Sequence, residues 1–507
     1  MEWQPILHKK PDSLSIVIKT FLFSAVLAYA VFANAQTYDF NANCTDAYNL
    51  IQSLRFNEAK VLIEKEKSGN PQNLIPYFLD NGIDFISIYI SENETEFKTL
   101  AKNKDARLSK IKTGDPASPY YLYCQAEILI QWAFARLKFE EYVTAFSEVR
   151  KAFQLLEEND RKFPFFIANK KSLGMLHAIV GAIPDKYKWG VNMLGMEGTI
   201  EQGMFELESV IQYANTHTFI FQQESYLYYA FLSLYLQKDD VKAWNIVKDL
   251  NTKNNLLNTF CIASIGMRTG RNNEAIAALQ NKPTGSQYYP FPFLDFLHGL
   301  ALLRKLDPAA DAYFHKFLQT FKGKNYIKEA YQKLAWSALL QNNKAKYTEY
   351  MQLCITKGDD IIDDDKQALM EAQRNKPPHV VLLKSRLLFD GGYYKEALKV
   401  LEGLNTDDFP DPKDKAEFTY RAARIYHASG NPEKAKGYYN STIKNGESLP
   451  YYFAAGSALK LGEIFEKEGN YIKAKEYYNR CLNMKNEEYK TGLDSQAKAG
   501  LNRLKSK

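Results

Sequence analysis

The chain is 507 residues long, 46% hydrophobic and 24% charged, with 65 basic residues against 59 acidic ones and a formal net charge of +6. That composition provides ample core material, and 34 tyrosines and 31 phenylalanines suit helix-pair packing, where rings wedge between neighbours and bury large areas. Near balance of charge, with no concentrated basic stripe, zinc-finger spacing or aromatic RNA-binding motif, gives no footing for nucleic-acid recognition.

At the N-terminus, Lys9, Lys10 and Lys19 precede an apolar run from Phe21 to Phe32 and then Ala33-Asn34-Ala35. A short apolar core after basic residues, followed by small residues at the cut, predicts a cleaved export signal over residues 1–35. The run is too short for a comfortable bilayer span, so no stable membrane span is expected after cleavage. An uncleaved anchor that also takes in Leu14 to Val17 is the competing reading. Cys44 lies too far from the cut to become a lipid-modified first residue.

From residue 36 onward, small residues followed by helical apolar stripes predict a series of helical hairpins. Phe56-Asn57-Glu58-Ala59 follows a helix carrying Ala47 and Leu50. Lys98 to Lys112 mixes lysine with acids and polar residues and reads as a solvated helix. Ala145, Val149 and Ala152 follow a long aromatic helix that begins near Pro119, and Ala243 with Val247 follows Tyr226 to Leu236. Arg271-Asn272-Asn273-Glu274-Ala275 repeats the turn-plus-alanine arrangement, and Gly299 with Ala312 suggests a further hairpin whose second helix starts at Asp307-Pro308. Residues 172–207, rich in glycine and broken by Pro184, depart from the pattern. They read as two buried helices joined by a proline turn, with glycines permitting close approach. The sharper alternative is a specialised insertion that narrows a groove or contacts a lipid or partner.

The acidic run Asp359 to Asp365 lacks the glycine and the spaced ligands of a calcium loop. It reads as helix capping and a solvated linker, which with Asn375-Lys376-Pro377-Pro378 is expected to span 359–378. Beyond it the pattern becomes regular. GGYYKEALKVL from Gly391, SGNPEKAKGYY from Ser429 and EGNYIKAKEYY from Glu468 place alanines at 397, 435 and 474, spaced 38 and 39 residues apart. Self-similarity at that period is the signature of stacked helical hairpins. In the last copy Leu461 and Phe465 share a face, Gly462 admits the partner helix, and Ala474 and Tyr478 face it.

Gly462, Ala474 and Tyr478, with Ala423, Tyr426, Ala435 and Tyr439 before them, resemble the tetratricopeptide repeat, a 34-residue helix–turn–helix. The early tryptophan of that family is absent, Ser385 stands at its small-residue position, and longer loops stretch the period. The resemblance implies an all-α, right-handed superhelical solenoid of antiparallel hairpins. It divides into a degenerate array over 36–358, the linker, and regular repeats with a capping helix over 379–507. Locally, the 172–207 segment is similar to a stretch in a eukaryotic tetratricopeptide family that includes yeast mitochondrial outer-membrane-associated proteins.

If the repeats stack as in that family, the first helix of each hairpin lines the concave face. Arg386, Arg424 and Glu463 then form one row, with Tyr420, Arg421, His427, Lys460 and Lys467 nearby. An arginine-rich face of this kind suits an acidic or extended peptide, whereas the asparagines of peptide-clamping relatives are missing there.

Catalytic signals are sparse. The histidines show no paired metal-ligand spacing, and His177 and His298 read as core or groove residues. There is no phosphate loop, serine elbow or zincin helix. Cys44, Cys124, Cys261, Cys354 and Cys481 are too scattered for a disulfide framework. The expectation is therefore a non-enzymatic envelope scaffold without cofactor or metal that holds a protein or peptide on its concave face. Competing with it are a glycan-binding protein or helical-array enzyme acting on envelope carbohydrate and a plain architectural spacer.

Overall fold

One turn geometry joins the two helices of hairpin after hairpin. In the computed structural model, which describes residues 36–183 and 195–504, the turn begins with a residue in the left-handed region: Leu54, Glu140, Lys238, Gly270, Asn342, Gly392, Gly430 or Gly469, with φ from 60° to 80°. The next residue flanks the start of the second helix. In the hairpins at Arg55, Arg271, Asn343, Tyr393, Asn431 and Asn470, its N–H donates to the carbonyl five residues back at 2.8–2.9 Å. That bond satisfies a carbonyl that the end of the first helix leaves open. Four residues further on stands the packing residue: Ala59, Ala145, Ala243, Ala275, Ala397, Ala435 and Ala474, each no more than 1% exposed. Near Asp239 the ladder shifts: Ser233–Gln237 is π-helical and the Asp239 N–H reaches the Ser233 carbonyl, six residues back.

Among the described residues all regular structure is helical apart from a single bridge between Thr37 and Asn73. The expected export signal, residues 1–35, and the stretch 184–194 lie outside the described residues. The chain divides into two compact units, one through Leu232 with Gly285–Tyr289, the other Ser233–Thr284 with Pro290 onward. That division falls well before the expected linker at 359–378.

In the first unit, Ala42–Gln52 pairs with Phe56–Gly69 and Pro119–Lys138 with Tyr142–Lys162, separated by Ile75–Ser91, Glu94–Leu100 and Asn103–Ile111. Ala168–Gly181 then pairs with Ile200–Ala214. There a Cβ on Gly203 would stand 2.2 Å from the Gly174 carbonyl oxygen, so the backbones touch because both residues are glycine. A buried polar centre lies beside this pair. Lys171, fully buried, donates to Glu127 at 2.9 Å and to Glu224 at 2.6 Å, and Ser172 donates to Glu127.

The second unit stacks Leu256–Arg268 with Asn272–Gln280, Phe293–Arg304 with Ala310–Thr320, and Ile327–Leu340 with Lys344–Thr356. Val380–Asp390 with Tyr394–Leu401, Pro412–Ala428 with Pro432–Gly446, and Phe453–Lys467 with Tyr471–Asn483 follow, and Lys490–Arg503 covers the last repeat. Two expectations change here. Gly299 faces the Ala310 carbonyl and the Phe314 ring, while Ala312 is exposed. Asp307 caps a tight turn through the Ala309 N–H, so the helix starts at Ala310 and the inward positions become 310, 314 and 317. Residues 359–378 are not a solvated linker throughout, since they contain the helix Asp363–Arg374. Asp365, fully buried, accepts the N–H groups of Tyr326 at 2.6 Å and Glu329 at 2.9 Å, capping the start of Ile327–Leu340 from outside. Burial pushes the Asp365 carboxyl up to about 7.

Non-neighbouring hairpins of the second unit also meet. The turns at Gly270 and Gly392 touch backbone to backbone, since a Cβ on Gly392 would lie 2.1 Å from the Gly270 oxygen. Beside them the Tyr393 hydroxyl donates to Asn273 Oδ1 at 2.9 Å and accepts from Asn272 at 3.0 Å.

Candidate functional site

Many of the cavity-lining side chains of the second unit stand on first helices, joined by others from Asp363–Arg374, from the second helices at Asp240 and Tyr394, and from the helix-flanking residues Tyr452 and Tyr489. One cavity, of about 220 Å³, is lined by Trp336, Glu371, Arg374, Arg386, Glu417, Arg421, Tyr452 and Tyr489 among others. A second, of about 490 Å³, is lined by Asp240, Arg268, Tyr394, Arg424, His427 and Lys460. Arg304 and Asp390 line both, so the two cavities adjoin at this pair.

Burial of charge in such a place is unfavourable unless each ion is answered, and most are. Glu417 accepts two bonds from Arg421, at 2.7 and 3.1 Å, and Lys413 lies at 3.7 Å. Burial would raise the Glu417 carboxyl, but the Arg421 and Lys413 charges hold it below its ordinary value. Glu371 accepts the Trp336 indole N–H at 2.7 Å and the Gln332 amide at 2.8 Å. Glu329 pairs with Lys333 at 3.1 Å, and Glu488 with Arg374. Aromatic faces carry two further cations: Arg386 sits 4.7 Å from the Trp336 ring centre, and Arg424 lies 4.6 Å from that of Phe389.

The residues expected from the sequence separate into three roles. Arg386 and Arg421 line the first cavity, and Arg424, His427 and Lys460 the second. Tyr420 is not an open surface residue but is 3% exposed in the hydrophobic core with Tyr439 and Phe453, where its hydroxyl accepts from Arg424 at 3.1 Å. Its ring is large enough to be worth more buried between repeats than in water, and it lines neither cavity. Glu463 lines neither cavity and holds Lys460 at 2.6 Å. Arg421, 4% exposed, is locked by Glu417 and bonds the Tyr452 hydroxyl at 3.2 Å. Burial and the neighbouring Lys460 push the His427 pKa down.

The sequence reading missed Arg268, Arg304, Trp336, Glu371 and Asp390. A signal was present: Arg268, Arg304 and Asp390 are each the last residue of a first helix, a position that recurs with the hairpin. Basic residues there also read simply as complements to the helix dipole. His298 is 1% exposed, stacks on Tyr313 with ring centres 3.9 Å apart, and is pushed to about 4 by burial and the nearby Lys282. All five cysteines are free and buried. Among the described residues no three His, Cys, Asp or Glu side chains gather as a metal site, and no helix is long and apolar enough to cross a membrane.

Among the described residues the fold defines the class, a helical repeat protein in which antiparallel hairpins stack as in a solenoid within each unit. Within it, residues 455–488 match the family model described as tetratricopeptide repeat. No curated protein matches the chain.

Proposed function

We propose that the chain is an exported, non-catalytic scaffold of the cell envelope that holds a protein or peptide along the adjoining cavities of its second unit. The observation that carries this reading is the junction at Arg304 and Asp390. There two lined hollows stand side by side, and their walls bear arginines and aromatic rings, the pairing favoured in protein recognition. The tetratricopeptide repeat at 455–488 supports a protein partner. Export is supported by the basic, apolar and small-residue order of residues 1–35. Arg386, Arg421, Arg424, His427 and Lys460 are assigned to the contact, with Tyr420 and Glu463 holding two of them in place.

A photo-crosslinking side chain at Lys376 or Lys413, on the cavity wall, is compared in intact cells with one at the exposed Ile472 on the second helix of the last repeat. A protein neighbour captured reproducibly from the cavity positions and not from position 472 is expected. Lack of any protein neighbour at the cavity positions counts against the scaffold, and recovery of the chain in the cytosol with residues 1–35 intact counts against export.

A further inference from the structure

Around the junction the charges do not balance. Asp390 lies within electrostatic range of Arg304, Arg386, Arg421 and Arg424. Of these, Arg421 has its own carboxylate in Glu417. Glu329 also acts on Arg304 and Glu417 on Arg386, but each of these acids is paired with its own cation, Lys333 and Arg421. Asp390 is left as the acid that Arg304, Arg386 and Arg424 have in common, and its nearest approach is 3.9 Å to Arg386, beyond hydrogen-bond reach. No other carboxylate among the described residues comes within 4.0 Å of these three guanidinium groups.

Their hydrogen bonding is equally thin. A guanidinium offers five N–H donors. Arg304 spends one on the Met267 carbonyl at 2.9 Å and Arg424 one on the Tyr420 hydroxyl at 3.1 Å. Arg386 makes none among the described residues and rests against Trp336. These side chains are held in place by neutral partners, with their donor edges left over, and none is fully open to water. Desolvation, reinforced by Arg268 and Arg386, pushes the Arg304 pKa down, whereas neighbouring tyrosines and Asp390 push those of Arg386 and Arg424 up against the same burial.

We propose that Arg304, Arg386 and Arg424 form an oxoanion subsite at the junction, occupied by a carboxylate of the bound peptide. This rests on the reading that the cavities hold a partner. In its absence Asp390 is the stand-in anion. The ligand carboxylate displaces its influence by offering the short, forked contacts that Asp390 does not make. Trp336, Tyr452 and Tyr489 on the adjoining wall give flanking residues of the peptide an apolar surface.

The purified full chain is titrated with end-capped tetraglutamate, end-capped tetraglutamine and inorganic phosphate, followed by calorimetry and tryptophan emission. Tetraglutamate is expected to bind, and to change an emission component that Trp336→Phe removes, while tetraglutamine does not bind. Arg386→Gln and Arg424→Gln should each weaken tetraglutamate about tenfold or more. Asp390→Asn should tighten it about threefold or more, because a resident like charge is removed. Opposite signs from neighbouring substitutions cannot arise from misfolding, which lowers affinity in every variant. Equal binding of the two peptides, no binding of tetraglutamate, or weakening by Asp390→Asn overturns the subsite. Phosphate binding without tetraglutamate overturns the peptide as its source. A bound tetraglutamate with no crosslinked protein in cells would instead sink the scaffold reading and leave the subsite standing.

Discussion

A side chain held at φ near +60° costs roughly 1 kcal/mol relative to glycine, and the repeated hairpin turn imposes that backbone on whatever residue occupies its first position. Gly430 isolates the effect, because a Cβ there would meet nothing within 4 Å. Gly430→Ala should therefore cost about 1 kcal/mol through the backbone alone, while Glu140→Gly, at an exposed turn position with φ 61°, should gain about 0.5 kcal/mol. Hydrogen exchange in the flanking hairpins checks both signs, and a Gly430→Ala variant as protected as the parent would remove strain as the explanation. The same position explains why the repeat was legible near the C-terminus and faint before it. At 392, 430 and 469 the residue is glycine, which announces the turn. At 54, 140 and 238 leucine, glutamate and lysine adopt the same geometry without a sequence mark. The alanine four positions after the helix-flanking residue survived in those turns and made them findable. Cavity residues had no such anchor: Arg386 and Arg424 were reached by register within clear copies, whereas Arg304 and Trp336 sit in hairpins whose register was not readable.

For paired elements, the decisive quantity is how closely two helix backbones approach. Ala168–Gly181 and Ile200–Ala214 do so at Gly174 and Gly203, where an added Cβ would overlap the opposite backbone rather than a side chain that could swing away. Gly203→Ala should thus cost about 2 kcal/mol or more, at the upper part of the overpacking range. The loss should appear as faster hydrogen exchange in these two helices, with helices of the second unit unchanged; unchanged exchange in the pair would show that the backbones can separate at little cost. Close approach by glycine could be read from the sequence. The hairpin Ile327–Leu340 with Lys344–Thr356 could not, because Tyr347 occupies the packing place that alanine fills in the other hairpins, and Ala345 is exposed two residues earlier. Nor could the docking of Asp363–Arg374, since a run of aspartates in isolation is indistinguishable from a solvated linker. What buries Asp365 is a pair of backbone N–H groups nearly forty residues away in sequence.

At the scale of the second unit, an ideal solenoid has only nearest-neighbour terms, and its repeats unfold with limited cooperativity. The meeting of Gly270 with Gly392, and the bonds of Tyr393 to Asn272 and Asn273, join the hairpin at 256–280 to that at 380–401 across two intervening hairpins. Loss of this contact should loosen both hairpins together. Tyr393→Phe removes one hydroxyl serving two partners and should cost about 1 kcal/mol. Gly392→Ala adds a Cβ 2.1 Å from the Gly270 oxygen, so its cost should exceed that of Gly430→Ala, which reports the same backbone strain without the collision. Subtracting one from the other isolates the contact. Hydrogen exchange should then rise at 256–280 as well as at 380–401 in both variants. Loosening confined to 380–401 would mean that the two turns lie side by side without energetic coupling. Coupled loosening would mean that the contact also fixes the spacing of Arg268, Arg304 and Asp390, whose helices end beside these turns. In that case Gly392→Ala should weaken tetraglutamate binding although it touches none of the three subsite arginines.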